Sequence, residues 1–248
     1  MDKFIAKSNI SNQILKSAQL STNLPVNTLI YGEDGVGKKL LSREILPNAV
    51  SFDAKEFESL LNKSLVSIDQ YSQIILYHID QVLNVEEFLG NLKSTKIVAT
   101  AFEKSNRFNN NFAVKIEIPP LKDRPEDLDE LIDMYKKEAC SIFADGILCD
   151  NKILTLDLSK NGKSLKNSIY KSVLTHTIKE DEIKNILEHY FQHQLKEKAT
   201  YKDLIEVFEI PLLKASHKLF KSQVQMASNL DINRITLRKK LDLYNGEL

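Results

Sequence analysis

The sequence predicts an α/β chain in which a parallel sheet is built around a glycine loop and an all-α remainder follows. Short apolar runs rich in β-branched residues, 28–31 (TLIY), 74–79 (IILYHI) and 96–101 (KIVATA), alternate with helical stretches. Strands buried on both faces and joined by crossover helices read this way. Glycine is scarce, 7 of 248 residues, yet Gly32, Gly35 and Gly37 fall within six positions directly after the first of those runs. A chain that avoids glycine and then concentrates it has a backbone reason for doing so. After Pro120 the pattern turns helical almost throughout.

Taken in order, Ile5, Ile10, Ile14, Leu15 and Ala18 recur at helical spacing, and a Ser/Thr/Asn/Pro segment closes this helix by residue 27. TLIY is the first strand, and 39–45 (KLLSREI) is a helix that Pro47 stops. Residues 49–52 form a short second strand and 74–79 a third. A helix over 85–92 precedes the fourth strand at 96–101. An alternating fifth strand, 115–118, ends at Pro119-Pro120. Arg124-Pro-Glu-Asp opens a helix at about 126 that runs to about 143, acids in its first turn and lysines later, as the helix dipole favours. Helices over 165–176 and 180–196 follow, and 203–248 holds three more helical segments. The expected domains are an α/β nucleotide-binding subdomain over 1–120, a helical lid over 121–198 and an all-α unit over 203–248.

Hydrophobic residues are 42% of the chain and charged residues 27%, with 34 basic against 34 acidic side chains. This excludes a protein coated in positive charge for polyanions but leaves room for a local basic patch. No apolar run reaches the roughly 18–20 residues needed to span a bilayer. The start, MDKFIAKSNISNQ, lacks the apolar core of a secretion signal, and Cys140 and Cys149 form no CxxC. A cytoplasmic protein with no membrane partner is expected.

Gly32-Glu33-Asp34-Gly35-Val36-Gly37-Lys38 matches GxxxxGK between a strand and a helix. The glycines let successive backbone N–H groups turn inward around a polyphosphate, the helix N-terminus adds its dipole, and the lysine reaches the outer phosphates. The next residue, usually the Ser or Thr that holds magnesium, is Lys39. The plainer alternative is a glycine turn carrying an exposed lysine. Hydrolysis also needs an acid at the end of a neighbouring strand. Asp80 is the best candidate, but Gln81 follows it, and an amide is no general base near neutral pH. If Tyr77-His78 hold that place instead, both acids are missing; Asp80 would then serve equally as a helix N-cap. Either alignment argues against efficient hydrolysis, and no residue is assigned a catalytic role. His189 and His193 have a zinc spacing but no third ligand, so a solvated helix face is expected there and no metal site is assigned.

Residues 212–248 carry seven basic and three acidic side chains, a surplus of four positive charges, which leaves the other 211 residues with a surplus of four negative ones. Within this tail QVQMASN reads as a short helix, Leu230-Asp231-Ile232 as a turn and 233–244 as a second helix. Ala227, Leu230, Ile232, Leu237 and Leu241 are expected in the core, with Arg234, Thr236, Arg238, Lys239 and Lys240 projecting outward. That is helix-turn-helix logic, in which Asn233 and these five would meet base edges and phosphates of double-stranded DNA. A solvated basic helix is the plainer alternative.

These motifs resemble the NtrC-type (sigma-54-dependent) bacterial enhancer-binding proteins, AAA+ ATPases coupled to a Fis-type helix-turn-helix. YGEDGVGKKLLSREI resembles the family's GESGTGKE loop and helix, in which Glu stands at the Lys39 position. PPLKDRPEDL (119–128) resembles PPLRERxEDI at the entry to the helical lid, and DINRITLRKKL (231–241) the Fis-type recognition helix. NGKSLKN (161–167) resembles GNVRELKN and puts Lys163 at the sensor-two arginine that touches nucleotide. The resemblance implies a P-loop AAA+ sheet with a helical lid and a Fis-type domain. It also implies ATP or ADP with magnesium as cofactors, and a homodimer through the C-terminal domain. For that interface Phe208, Ile210, Leu212, Leu213, Leu219 and Phe220 are candidates, though they would serve equally as local core. RNA polymerase or another regulator is the implied further partner. Departures point to a degenerate member: residues 46–73 hold no GAFTGA loop, the Walker B acids shrink to Asp80-Gln81 at best, and Ala101-Phe102 stand where a polar sensor is expected. RFNNNF leaves only Arg107 for an arginine finger. The expectation is a DNA-binding transcriptional regulator whose AAA+ module binds ATP or ADP without efficient hydrolysis. The alternative is an active ATPase that works with sigma-54 RNA polymerase.

Overall fold

The computed structural model describes residues 3–67, 70–92, 95–103, 105, 110–143 and 154–246. Arg107 and Cys149 lie outside them. The chain divides into two compact units, 1–177 and 178–248.

The first unit runs α1 (Asn9–Thr22), β1 (Thr28–Tyr31), α2 (Lys38–Ile45), β2 (Val50–Asp53), α3 (Ala54–Asn62) and β3 (Gln73–Tyr77). It continues with α4 (Val85–Gly90), β4 (Lys96–Ala101), β5 (Val114–Glu117), α5 (Pro125–Phe143) and α6 (Asn161–Thr177). The strands form one parallel sheet in the order β2-β3-β4-β1-β5. Successive strand residues feed opposite faces. Leu29, Ile74, Leu76, Ile97 and Ala99 pack with Phe57 of α3 and Phe88 of α4, while Ile30, Ile75, Val98 and Ile116 pack with Ile14 of α1 and Leu41 of α2. Both faces are covered, which is why the inner strands are apolar without alternation. The edge strand β5 keeps its alternation, with Ile116 buried and Glu117 exposed.

The expected helices and strands recur with three differences. α3 was not legible as a helix. β3 stops at Tyr77 rather than at residue 79, because His78 takes a left-handed conformation (φ 58°) and a short 3-10 turn, Ile79–Gln81, follows. The first helix begins at Asn9, where the Ser8 hydroxyl accepts the Ser11 N–H; the segment before it sends Phe4 into the core.

At the start of α5 a charged pair is fully enclosed. Arg124 is 3% exposed and Asp127 0%, and they pair at 3.3 Å. Asp127 accepts the backbone N–H groups of Lys7 and Ser8 at 2.6 and 2.8 Å and the hydroxyls of Ser8 and Ser11. Arg124 donates to the carbonyl of Val36, inside the glycine loop, at 3.1 Å. One ion pair thus joins the N-terminal segment, the loop and the lid.

The second unit comprises α7 (Glu180–Lys196), α8 (Tyr201–Leu219), α9 (Gln223–Asn229) and α10 (Arg234–Leu243). Extended backbone at Lys179 precedes α7, which falls in the same compact unit as the C-terminal helices. Leu213, Met226, Ala227, Leu237 and Tyr244 form the core, with Leu230, Ile232 and Leu241 packed against it.

Removing one member of a buried, hydrogen-bonded pair strands the other charge. Asp127→Ala should therefore lower unfolding stability by about 3–5 kcal/mol, read as a drop in denaturant midpoint at unchanged slope. An effect below about 1 kcal/mol would show that the pair is not the tie described.

Candidate functional site

The strand β1 delivers the chain into the loop at the C-terminal edge of the sheet, where Gly32, Gly35 and Gly37 take φ of 147°, 79° and 107°. Only glycine holds such angles at little cost. Space also demands it: a Cβ at Gly35 would run into the Lys160 carbonyl oxygen, and one at Gly37 would stand 3.1 Å from the Phe4 ring. Val36 turns its side chain into the core. Glu33 and Asp34 are exposed.

Lys38 heads α2, and its ammonium folds back onto the carbonyl oxygens of Gly32 and Glu33. Burial holds it below the ordinary lysine range, against the opposing charges of Asp34, Asp80 and Glu33. A cleft of about 740 Å³ opens beside it between the loop, the ends of β3 and β4 and the start of α6.

The lid sits directly on the loop. The Asn161 side chain donates to the Asp34 carbonyl at 2.9 Å and to the Glu33 carboxylate at 3.1 Å, and accepts the Leu121 N–H at 2.7 Å. The Gly162 N–H donates to the Gly35 carbonyl at 3.1 Å. Lys163 reaches Asp34 at 3.6 Å, an exposed pair worth little by itself. The structure thus brings together the whole loop, Lys38, Lys39, Asp80 and Lys163. Sequence reasoning missed Asn161, although it lay inside the quoted NGKSLKN.

The end of β3 decides the chemistry. Tyr77, not Asp80, ends the strand, and His78 is the first residue beyond it. His78 Nδ1 meets Asp53 Oδ2 at 2.8 Å, and its backbone N–H donates to the Thr100 hydroxyl at 3.2 Å. Burial would push the Asp53 carboxyl up, but hydrogen bonds from His78 and the Glu56 and Lys55 N–H groups outweigh it and hold it low. Thr100, one residue before the expected Ala101-Phe102, is the polar group that β4 offers the cleft. Asp80 lines the cleft one turn later with its Oδ1 buried and without a partner.

These residues do not fit a magnesium ion. Mg²⁺ takes oxygen ligands, with one or two carboxylates beside the phosphates. Here the position after Lys38 is Lys39, the strand ends in Tyr77, and the charge of Asp80 acts on Lys38. Among the described residues no group of three or more His, Cys, Asp or Glu is placed to hold a metal ion. His189 and His193 are both exposed on α7.

In the second unit, α9 and α10 are joined through Asp231, which takes the left-handed conformation (φ 49°). Arg234, Thr236, Arg238 and Lys239 stand exposed on α10 as expected. Two other candidates are committed internally. The Asn233 side chain caps α10 by accepting the Ile235 N–H at 2.8 Å. Lys240 is ion-paired with Glu209 of α8, which also accepts the Tyr244 hydroxyl at 2.9 Å.

No family model and no curated protein matches the sequence. Among solved structures, NtrX from Brucella abortus in complex with ATP superposes with a TM-score of 0.59 at 14% identity, covering 98% of this chain and 69% of that one. The ADP complex of the same protein gives 0.54 at 14% identity, covering 97% and 68%. A third NtrX structure gives 0.50 at 12% identity, covering 97% and 69%. At such identity the likeness is one of fold. The parallel sheet with its glycine loop shares the fold of these structures.

Gly35→Ala should destabilise the protein by about 1–3 kcal/mol, since a strained φ and a backbone clash add; Gly90→Ala, with nothing within 4 Å of its Cβ, should be within about 0.5 kcal/mol of wild type. Phosphate capture needs charged Lys38, whose folded pKa is lowered. Nucleotide affinity, titrated across alkaline pH, should therefore be level at neutral pH and fall as pH rises through that pKa, starting below the roughly 10.4 of a free lysine. A level profile through that value would contradict the role.

Proposed function

We propose that the chain is a DNA-binding transcriptional regulator whose AAA+ module takes ATP or ADP as a ligand without turning it over efficiently. The observation that carries the nucleotide half is the contrast across one cleft. The loop keeps its three positive-φ glycines and Lys38, whereas β3 ends in Tyr77, and His78 just beyond it is tied to Asp53. A phosphate cradle therefore stands beside a strand end that has no acid to activate water. NtrX, solved with ATP and with ADP on this fold, supports the ligand class.

The DNA half rests on α9, the turn and α10, with Arg234, Thr236, Arg238 and Lys239 exposed on one basic helix. Such a helix fits the major groove, base edges meeting its first turn and phosphates the later cations. The Fis-type reading and membership of the NtrC-type family rest on the sequence motifs. Ile183, Ile186 and Tyr190 of α7 and Phe208 and Leu212 of α8 are exposed apolar residues, suited to a homodimer that would place half-sites about one turn, ~34 Å, apart. RNA polymerase or another regulator is the further partner of this reading, and a cytoplasmic setting suits it. No helix among the described residues is long and apolar enough to cross a membrane. The competing reading, an active ATPase acting with sigma-54 RNA polymerase, has Asp80 alone to recommend it.

Fluorescence anisotropy on duplex DNA tests the reading. Replacing Arg234 and Arg238 together by Ala should weaken binding and cut the salt-dependence slope by about 2, one for each lost phosphate contact, or relax sequence preference where the contact is to a base. DNA binding that is unchanged in affinity, slope and preference would overturn it.

A further inference from the structure

In a phosphate loop that uses a divalent cation, the residue after the lysine and the end of the neighbouring strand supply oxygen donors to hold it against the phosphates. In this chain those two positions are Lys39 and Tyr77, and they engage each other. The Lys39 ammonium stands 4.7 Å from the centroid of the Tyr77 ring, within range for a cation held on an aromatic face. Lys39 lies in the first turn of α2 and Tyr77 is the last residue of β3, so the glycine loop and the sheet register set both backbone positions.

The charge balance of the cleft runs the same way. Four lysines line it, Lys38, Lys39, Lys163 and Lys166, against two carboxylates, Asp34 and Asp80; Lys166 is paired with Glu138 at 3.0 Å, which leaves an excess of one positive charge in the lining. Asp34 already faces Lys163, and the charge of Asp80 acts on Lys38. A Mg²⁺ ion would add two positive charges to a lining already in cationic excess, whereas a bare nucleoside di- or triphosphate would offset that excess. Asp53, at the end of β2 on the same edge of the sheet, is held by His78 and the N-terminus of α3.

We infer that the site binds ATP or ADP as the metal-free anion, with the Lys39 ammonium, steadied on the Tyr77 ring, neutralising phosphate charge where a divalent cation would otherwise do so. The inference rests on the nucleotide reading above and deepens it: the same two replacements that remove a cation ligand also remove the setting in which water is activated. The ligand is held, and no bond is made or broken.

Isothermal titration of the full chain with ADP and with ATP, in excess EDTA and in millimolar MgCl₂, tests it. The expected Kd in EDTA is equal to that in magnesium within about threefold, or tighter. Tightening by magnesium beyond that factor overturns the inference while leaving nucleotide binding in place. Absence of binding in both buffers overturns the nucleotide reading itself, and this inference with it. Lys39→Ala, at an exposed position, should weaken binding in EDTA by about tenfold or more, and Lys39→Ser with Tyr77→Asp should make binding magnesium-dependent. Unchanged EDTA affinity in a folded Lys39→Ala protein also overturns it.

Discussion

Arg124 and Asp127 are buried where three segments of the first unit meet, and the arrangement of the cleft depends on that pair. Asp127 takes the backbone N–H groups of residues 7 and 8 and the hydroxyls of Ser8 and Ser11, which closes the start of α1 onto the lid. Arg124 reaches the carbonyl of Val36 and lays its guanidinium 5.9 Å from the Phe4 ring centroid. Phe4 in turn lies where a side chain on Gly37 would have to go. Two enclosed charges are costly to desolvate; here Asp127 accepts from two backbone N–H groups and two hydroxyls, and the terminal nitrogens of Arg124 donate to Asp127, Ser11 and Val36, while its Nε is left without a partner. In return the pair fixes the phosphate loop from behind, opposite the face that a ligand would use.

On that open face the loop is held by donors that a nucleotide would rearrange. Lys38 points at loop carbonyls, and Asn161 and Gly162 of α6 donate to two more. These bonds tie lid to loop through the loop's carbonyl oxygen atoms. A polyphosphate entering the cleft would draw Lys38 off Gly32 and Glu33 and would place Lys163, already near through Asp34, beside its outer oxygens. Lid and loop would then respond together to what is bound, which is how a ligand that is not consumed can still change a protein's populations.

Much of this was legible in the residues. The glycine cluster marks positive φ, and the apolar runs 74–77 and 97–99 mark burial on both faces, as the two cores confirm. The quoted PPLKDRPEDL contains both members of the buried pair, but periodicity gives no hint that Asp127 turns inward to the backbone of residues 7 and 8. That contact spans about 120 positions, and only folding brings the two together. The end of β3 stayed open between two alignments because IILYHI is apolar enough to continue. The left-handed turn at His78 ends the strand at Tyr77. In the second unit the basic face of α10 was readable from spacing, whereas the loss of Lys240 to Glu209 and of Asn233 to a helix cap depends on partners that spacing does not show.

On the proposed reading, the glycine cradle beside a strand end without an acid gives a protein that holds a nucleotide and does not consume it. The most direct test is to incubate the full chain with γ-labelled ATP for hours and follow both bound nucleotide and released phosphate. The account predicts ATP recovered intact from the protein, with phosphate release no faster than in buffer. Phosphate release that exceeds background and disappears in Lys38→Ala would contradict it.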